Sequence, residues 1–325
     1  MSWKSCLYWA FLITSIFMSL SSSSWITLWA ALELNLVSFI GVMMSSVSPE
    51  IKFSHTRSNM LIYFLTQAAT SLALLVVILL LSHYMLEMMF TMAGLMLLIK
   101  LGSFPFHMWY TNILEHLSWH NIWAISTVQK IIPLYYLTLL NTPYILFLAI
   151  AGNAALSIQT GMNQLSMKKI MLVSSLFQSS WLIMLCFSSP QSALVYLGFY
   201  SLYIYMFVSM ILGPNTTFKP LANIPDMQAT PAVFSMLMVL GGLPPMFSFF
   251  IKIQALGTML PMFTAIATIL MIMAMAMFYI YIKMFLYFLL FSSNMAPLKS
   301  LAHAVPHPIL LVLALITPLV MIPYM

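Results

Sequence analysis

The amino-acid sequence predicts an all-α polytopic membrane protein that forms a single membrane domain over residues 1–325. Hydrophobic residues make up 63% of the chain and charged residues only 5%, whereas about a quarter of the residues of a typical soluble protein are charged. The apolar segments are long and continuous, without the alternation of a membrane β-barrel. The net charge of +6 is typical of loops that flank membrane helices and does not indicate a nucleic-acid-binding protein.

The apolar segments predict about eleven transmembrane helices, because a helix needs about 20 apolar residues to cross a bilayer core. We place them at residues 6–20, 25–44, 60–82, 86–116, 119–140, 144–160, 168–187, 192–212, 231–256, 261–291 and 307–324. The fourth and ninth of these helices are each expected to contain an interruption. The loops between them are too short to fold as a separate soluble domain.

The basic residues of the predicted loops indicate the orientation of the chain. The loops on the side of the N-terminus contain all the loop lysines and arginines, namely Lys4, Lys52, Arg57, Lys168, Lys169, Lys219 and Lys299. The loops on the opposite side contain neither residue. Because such residues are enriched on the cytoplasmic or matrix-equivalent face, we expect the N-terminus on that face and the C-terminus opposite.

Four lysines remain inside predicted helices, namely Lys100, Lys130, Lys252 and Lys283, and Glu33 lies near the middle of the second predicted helix. Lys283 lies near a helix end, where its side chain can reach the membrane surface. The other four would cost at least a few kcal/mol each at bilayer depth, and such residues usually mark ion or proton pathways. The alternative is that they form structural ion pairs that only hold helices together.

Helix-breaking residues accompany two of these lysines in the first half of the chain. Lys100 is followed by Gly102 and Pro105. Pro105 lacks an N–H group, so a backbone carbonyl loses its helical partner there. Pro133 follows Lys130 in the same way. An irregular backbone at membrane depth is tolerated where it is buried in protein or lines a wet cavity, so these breaks are expected to hydrate the charges.

The second half of the chain repeats the pattern. Gly242, Pro244 and Pro245 precede Lys252, and both breaks share the spacing G-x-x-P. The broken helices are an odd number of helices apart and therefore run in opposite directions. We interpret helices 1–5, about 6–140, and helices 6–10, about 144–291, as antiporter-like inverted repeats, with 307–324 as a final helix.

A chain of buried charges with this arrangement suggests proton transfer. A carboxylate close to a buried lysine favours the charged ammonium, so making or breaking a pair of Glu33 with Lys100 would switch the lysine between holding and releasing a proton. Lys130 and Lys252 could relay the proton laterally. Polar residues of the seventh predicted helix could assist, in particular Ser174, Ser175 and Gln178.

Other candidate sites are weaker. His116 with His120 and His303 with His307 have the i, i+4 spacing of metal ligands, but neither pair has a third ligand nearby, and we interpret both as interfacial. Nucleotide-binding and iron–sulfur motifs are lacking, so no cofactor is expected on this chain. Cys6 and Cys186 are predicted near opposite membrane faces and are not expected to form a disulfide.

Five segments together resemble the NADH dehydrogenase subunit 2 family, the mitochondrially encoded antiporter-like subunits of respiratory complex I. They occur in the family's order and are LWAALELNLVSFI (28–40), LLIKLGSFPFHMW (97–109), STVQKIIP (126–133), GMNQLSMKKIMLVSSLFQSSW (161–181) and GGLPPMFSFFIK (241–252). The resemblance implies that Glu33 and Lys100 form the charge pair of the first half-channel. It makes Lys130 the central relay lysine and Lys252 the lysine of the second broken helix.

Two positions depart from the family pattern. Gln178 stands where the family commonly has a histidine, and Val128 stands where a tryptophan is often found. A glutamine side chain does not titrate, which weakens any proton-carrying role of the seventh helix. The exchange at Val128 is interpreted as a change of packing.

The resemblance also implies a cellular context. The chain would be a proton-translocating membrane-arm subunit of NADH:ubiquinone oxidoreductase in the mitochondrial inner membrane, with the N-terminus in the matrix and the C-terminus in the intermembrane space. NADH, FMN, iron–sulfur clusters and ubiquinone would bind to other subunits. The expected partners are subunits 4 and 4L, accessory subunits and phospholipid including cardiolipin. The alternatives are a free-standing secondary cation/proton antiporter and a structural spacer whose buried charges only lock helices.

Overall fold

The computed structural model describes residues 3–46, 53–80, 86–140, 142–164, 166–188, 190–211, 237–242, 247–259 and 264–293. All regular elements within these ranges are α-helices, which confirms the predicted all-α class. The predicted last helix, 307–324, lies outside the described residues, and so do Pro244 and Pro245.

The helices follow one another in twelve labelled elements over the described part of the chain. They are α1 Trp3–Ser21, α2 Trp25–Ser45, α3 Phe53–Leu80, α4 Leu86–Leu101, α5 Met108–Leu114, α6 Trp119–Ser126, α7 Val128–Leu139, α8 Pro143–Gly161, α9 Met167–Ser188, α10 Pro190–Ile211, α11 Phe247–Met259 and α12 Thr264–Ser293. Residues 237–241 are also helical and lead to Gly242, before α11.

Seven helices of the described residues are long and apolar enough to cross a membrane by length and composition. They are α1, α2, α3, α8, α9, α10 and α12. The others are shorter because the chain is interrupted beside them. The predicted polytopic membrane class therefore agrees with the observed helices, whereas the number eleven stays a prediction.

The predicted fifth helix, 119–140, is wrong as one continuous element. It consists of α6 and α7, which are separated by Thr127 with φ −124° and ψ −69°. The Thr127 hydroxyl donates to the Trp123 carbonyl at 2.7 Å, so the side chain supports the end of α6. The interruption lies three residues before Lys130, and Pro133 is accommodated inside α7.

The chain divides into two compact units, and it passes between them within α8, within α9 and at the start of α10. The first unit comprises Met1–Asn153 and Leu182–Pro190, and the second comprises Ala154–Trp181 and Gln191–Met325. In the first unit, α2 packs against α1 and α3, and α4 packs against α3 and α7. In the second unit, α11 contacts α12. The predicted five-helix repeats stay a prediction.

Candidate functional site

Lys100 lies at the end of α4, where its side chain is buried at 6% exposure. The helix ends at Leu101 because Gly102 adopts φ +65°, a left-handed conformation that favours glycine. A Cβ atom at Gly102 would lie 2.6 Å from the Cβ of Tyr110, so the close approach of α5 also requires glycine. The predicted interruption between Lys100 and Pro105 is present as residues 102–107.

The last carbonyls of α4 find side-chain and backbone donors, although a helix end leaves such groups without intrahelical partners. The Leu98 carbonyl accepts from the Ser103 N–H at 3.1 Å and from the Ser103 hydroxyl at 2.9 Å. The Trp109 indole N–H donates to the Ile99 carbonyl at 2.9 Å. Protein groups therefore satisfy these two carbonyls, whereas the prediction that Pro105 frees the carbonyl of Leu101 stays a prediction.

The break itself is anchored to α8. The Phe104 N–H donates to Oδ1 of Asn153 at 2.7 Å, and Asn153 is fully buried. Buried backbone groups without a partner are costly. Asn153 therefore fixes the path of the chain immediately before Pro105.

The Lys100 ammonium bonds to α3. Its Nζ donates to the Gln67 carbonyl at 3.1 Å, and the Gln67 amide donates to the Lys100 carbonyl at 3.2 Å. This reciprocal contact ties the end of α4 to the middle of α3. Lys100 therefore has a backbone acceptor inside the protein.

Glu33, on α2, is half-buried and also bonds to α3. Its carboxylate accepts a hydrogen bond from the Ser71 hydroxyl, and the Trp29 indole N–H donates to the Ser71 carbonyl at 3.0 Å. Ser71 is one helical turn beyond Gln67. No direct salt bridge joins Glu33 to Lys100, both of which the structure describes; instead one turn of α3 holds each of them.

Lys130 is buried on α7 at 2% exposure. Its Nζ lies 5.5 Å from the centre of the Tyr110 ring, within the range of a cation–π interaction. Tyr110 belongs to α5, which follows the break beside Lys100. The chain thus brings Lys130 against the same short helix that closes the Lys100 break.

A network of neutral side chains lies beside Lys130. The amides of Asn35 and Gln129 form a reciprocal pair, with N···O distances of 2.8 and 3.2 Å. The Tyr63 hydroxyl donates to the same Gln129 oxygen at 3.1 Å. This network joins α2, α3 and α7 next to the lysine.

A cavity of about 20 Å³ within the first unit reaches both lysines. It is lined by Leu32, Asn35, Leu36, Tyr63, Gln67, Lys100, Leu101, Trp109, Tyr110, Ile125, Gln129, Lys130 and Pro133. A water molecule needs roughly 10–15 Å³ of such space and two to four polar partners. The volume of the cavity meets the first condition, and its polar lining residues meet the second. The cavity therefore has room for water between Lys100 and Lys130.

Lys252 occupies a site in the second unit and is buried at 6% exposure. Its Nζ lies 3.2 Å from the Gly241 carbonyl and 3.4 Å from the Leu240 carbonyl. Gly242, at φ +79°, follows these two carbonyls. A Cβ atom at Gly242 would lie 2.8 Å from Nζ, so the missing side chain leaves room for the ammonium.

Two aromatic rings of α9 complete the surroundings of Lys252. Its Nζ lies 5.7 Å from the centre of the Phe177 ring and 5.6 Å from that of Trp181. The rings present their electron-rich faces to the cation. Carbonyl oxygens and aromatic rings therefore stabilise this charge together.

Gln178 shares an acceptor with Lys252. Its amide donates to the Leu240 carbonyl at 2.8 Å, and the Tyr196 hydroxyl donates to its side-chain oxygen. The hydroxyls of Ser174 and Ser175 bond to carbonyls of their own helix at 2.8 Å. Gln178 therefore contacts the lysine site, whereas the two serines satisfy α9 itself.

The remaining sequence candidates lie apart from these sites. Lys283 is exposed and donates to the Met162 carbonyl at 2.9 Å. Cys6 and Cys186 are free thiols. His116 and His120 belong to no group of three possible metal ligands within the described residues. His303 and His307 lie outside those residues.

Sequence reasoning missed the neutral residues that bond to the charged residues or lie around their sites. They are Asn35, Tyr63, Gln67, Ser71, Gln129, Asn153 and Tyr196. One signal was available in the sequence: Gln67 and Ser71 are polar residues at i, i+4 in the middle of α3. That spacing puts both on one face.

Comparisons with known proteins complete the description of the chain. No family model matches it. It is 33% identical over 261 residues to NADH-ubiquinone oxidoreductase chain 2 of Lumbricus terrestris, covering 75% of each chain. It is 32% identical over 307 residues to the same chain of Anopheles gambiae, covering 89% of each. A chain of respiratory complex I from Thermus thermophilus with bound Aureothin has the same fold, with a TM-score of 0.79 at 16% identity, over 99% of this chain and 80% of that one.

Proposed function

Because the chain belongs to the NADH-ubiquinone oxidoreductase chain 2 family and is a membrane-arm subunit of complex I, we propose that it moves protons through a buried relay. The relay consists of Glu33, Lys100, Lys130 and Lys252. Quinone reduction in other subunits drives it.

The observation that carries this proposal is the cavity that both Lys100 and Lys130 line. A buried ammonium can pass a proton only to a group within hydrogen-bond reach or through one water. The cavity has space for such a water, and Tyr63 and Gln129 supply hydrogen-bonding groups beside it. The two lysines therefore line one cavity that has room for a connecting water.

Electron transfer is assigned to other subunits of the complex. Iron–sulfur clusters generally need four cysteine ligands, and this chain has two cysteines in all. We propose that the iron–sulfur clusters lie on other chains for this reason, and that FMN and ubiquinone also bind to other subunits. This subunit contributes the proton path and no redox centre.

The partners and the orientation belong to the same proposal. We place the chain in the mitochondrial inner membrane, between subunits 4 and 4L, with accessory subunits and cardiolipin around it. The basic loop residues support an N-terminus in the matrix and a C-terminus in the intermembrane space. The free-standing cation/proton antiporter is disfavoured, because the relatives that establish the family are chains of an NADH-ubiquinone oxidoreductase.

Replacing Lys130 by glutamine tests the relay. Complex I with the variant chain is reconstituted into vesicles, and NADH oxidation and proton uptake are measured together. A relay group that is lost removes general acid–base assistance of roughly a hundredfold or more. We therefore expect coupled proton pumping to fall by about that factor, while the amount of assembled complex stays close to normal.

The matched control is Lys283→Gln, because Lys283 is exposed and bonds to a loop carbonyl. It removes the same charge away from the relay and is expected to leave pumping unchanged. If Lys130→Gln pumps normally but assembles poorly, the buried lysine is a structural lock and the chain is a spacer. That result would reject the relay.

A further inference from the structure

The turn of α3 from Gln67 to Ser71 holds both charges of the first unit. The Gln67 carbonyl accepts from the Lys100 ammonium at 3.1 Å, and the Ser71 hydroxyl donates to the Glu33 carboxylate. The opposite charges are therefore each satisfied by α3 instead of by one another. We call this arrangement, in which Glu33 and Lys100 bond to α3 and not to each other, the open pair.

Each of these two holding groups has a second partner in place. The Ser71 hydroxyl lies 2.9 Å from the Ala68 carbonyl. The Thr70 hydroxyl lies 2.9 Å from the Gln67 carbonyl and 2.9 Å from the Thr66 carbonyl, so it can donate to either. Both second partners belong to the same turn of α3, so they are present whatever α2 and α4 do.

The second partners lower the free-energy cost of releasing Glu33 and Lys100 from α3. A buried polar group that loses its only partner costs more than the hydrogen bond itself contributes. If the Glu33 carboxylate leaves, the Ser71 hydroxyl can donate to Ala68. If the Lys100 ammonium leaves, the Gln67 carbonyl keeps its backbone partner in α3, and the Thr70 hydroxyl can also donate to it. Neither departure leaves a bare group in the protein interior.

We propose that the turn Gln67–Ser71 of α3 allows the charge pair two states, with Thr70 and Ser71 as positioning residues. We call this turn the holder. In the state observed here, Gln67 and Ser71 bond to Lys100 and Glu33, and the two charged groups stay apart. In the other state, Glu33 and Lys100 form a direct ion pair. The Gln67 carbonyl then bonds to the Thr70 hydroxyl, and the Ser71 hydroxyl bonds to the Ala68 carbonyl. This inference rests on the proposed relay and adds the element that opens and closes its first pair.

The decisive variant is Ser71→Ala, which removes the hydroxyl that holds Glu33. The structure of complex I with this chain is determined by electron cryo-microscopy, and the distance from the Glu33 carboxylate to Lys100 Nζ is measured. A hydrogen bond to a charged group biases such an equilibrium by roughly tenfold or more. We expect a salt bridge within 4 Å and coupled pumping that is slower by about the same factor.

The matched control is Ser38→Ala. Ser38 is buried at 3% exposure, and its hydroxyl bonds to the Asn35 carbonyl of its own helix at 2.9 Å. It resembles Ser71 in burial and in its bond to residue i−3, but it holds no charge. We expect this variant to keep the open pair and normal pumping, and Ser71→Thr to retain the open pair as well.

A second variant covers the case in which Ser71→Ala does not assemble. Thr70→Val keeps the side-chain shape and removes the second donor to the Gln67 carbonyl. Release of Lys100 then becomes less favourable, so we expect an unchanged open pair and pumping slower by roughly threefold, the effect of one neutral hydrogen bond. Normal pumping in Thr70→Val, or a Glu33 carboxylate that stays off Lys100 in an assembled Ser71→Ala complex, overturns the holder.

The relay and the holder can be rejected separately. If Lys130→Gln pumps normally, the relay is rejected whatever the distance in Ser71→Ala. If Lys130→Gln loses pumping but Ser71→Ala keeps the open pair, the relay stands and the holder is rejected. The distance is read from the structure, so it does not depend on transport.

Discussion

The two broken helices place a lysine on opposite sides of the same kind of break. In the first unit, Lys100 precedes Gly102, and its ammonium bonds to a carbonyl of another helix. In the second unit, Lys252 follows Gly242, and its ammonium turns back to the carbonyls of the helical residues before the break. Both glycines are left-handed, at φ +65° and φ +79°.

The difference shows what each glycine is needed for. The missing side chain at Gly102 admits the Tyr110 side chain, and therefore the packing of α5. The missing side chain at Gly242 admits the ammonium of Lys252 itself. One break is built around helix packing, and the other is built around a charge.

The largest effect is expected from Gly102→Ala. A left-handed alanine costs about 1–2 kcal/mol and overpacking against Tyr110 about 1–3 kcal/mol more. The Cβ of Tyr110 is fixed to its backbone and cannot turn away, so the break itself has to deform. We expect a severalfold loss of assembled complex I, measured by native electrophoresis.

Gly242→Ala is the comparison variant. Here the clash is with the end of a flexible lysine side chain, which can retreat, so only the left-handed cost of about 1–2 kcal/mol remains. Pumping should fall more than assembly. Equal losses of assembled complex in both variants would show that the two breaks do not differ in this way.

Gln178→Leu is expected to have the next largest effect, confined to the second unit. The Tyr196 hydroxyl loses its acceptor, and such a buried unpaired group costs about 1–3 kcal/mol. The Leu240 carbonyl still accepts from Lys252. We expect a lower midpoint of heat inactivation of the complex, whereas Gln254→Leu, at an exposed position of α11, should leave it unchanged. An unchanged midpoint in Gln178→Leu would remove this residue from the supports of Lys252.

The smallest effects are expected from the serines that fasten each break. Ser103 donates to the Leu98 carbonyl at 2.9 Å, and Ser248 donates to the Val239 carbonyl. Each alanine variant removes one hydrogen bond, worth about 0.5–1.5 kcal/mol. Asn153 also anchors the first break, so Ser103→Ala should lower the heat-inactivation midpoint less than Ser248→Ala. If Ser103→Ala lowered the midpoint more than Ser248→Ala, the break in the first unit would be the less stable of the two.

The charged residues and their helix breaks could be predicted from the sequence because both are rare in apolar helices. A lysine among leucines stands out, and so does a G-x-x-P pattern. The break at Thr127 could not be predicted, since threonine is common inside membrane helices and nothing in its composition marks a helix end. The hydrogen bond of Thr127 to Trp123 is visible only in three dimensions.

The partner of each charge was also beyond the sequence. Glu33 and Lys100 suggest a direct pair because their charges are opposite. Which neutral groups compete for them depends on the rotation of α3, and an apolar helix with little amphipathic pattern does not reveal that rotation. The i, i+4 spacing of Gln67 and Ser71 puts both on one face of α3, but only their contacts show that this face meets Glu33 and Lys100.

The hydrogen bond between Trp29 and Ser71 affects how fast Glu33 can change its partner. Trp29 lies one turn before Glu33 on α2, and its indole N–H fastens that helix to the α3 carbonyl of Ser71 at 3.0 Å. With α2 fastened to α3 there, rotation of the Glu33 side chain would let its carboxylate leave Ser71 without displacement of either helix. Such rotations belong to a much faster class of motion than helix displacements. The first charge pair can therefore reset many times while the slower, larger movements of the complex complete a single turnover.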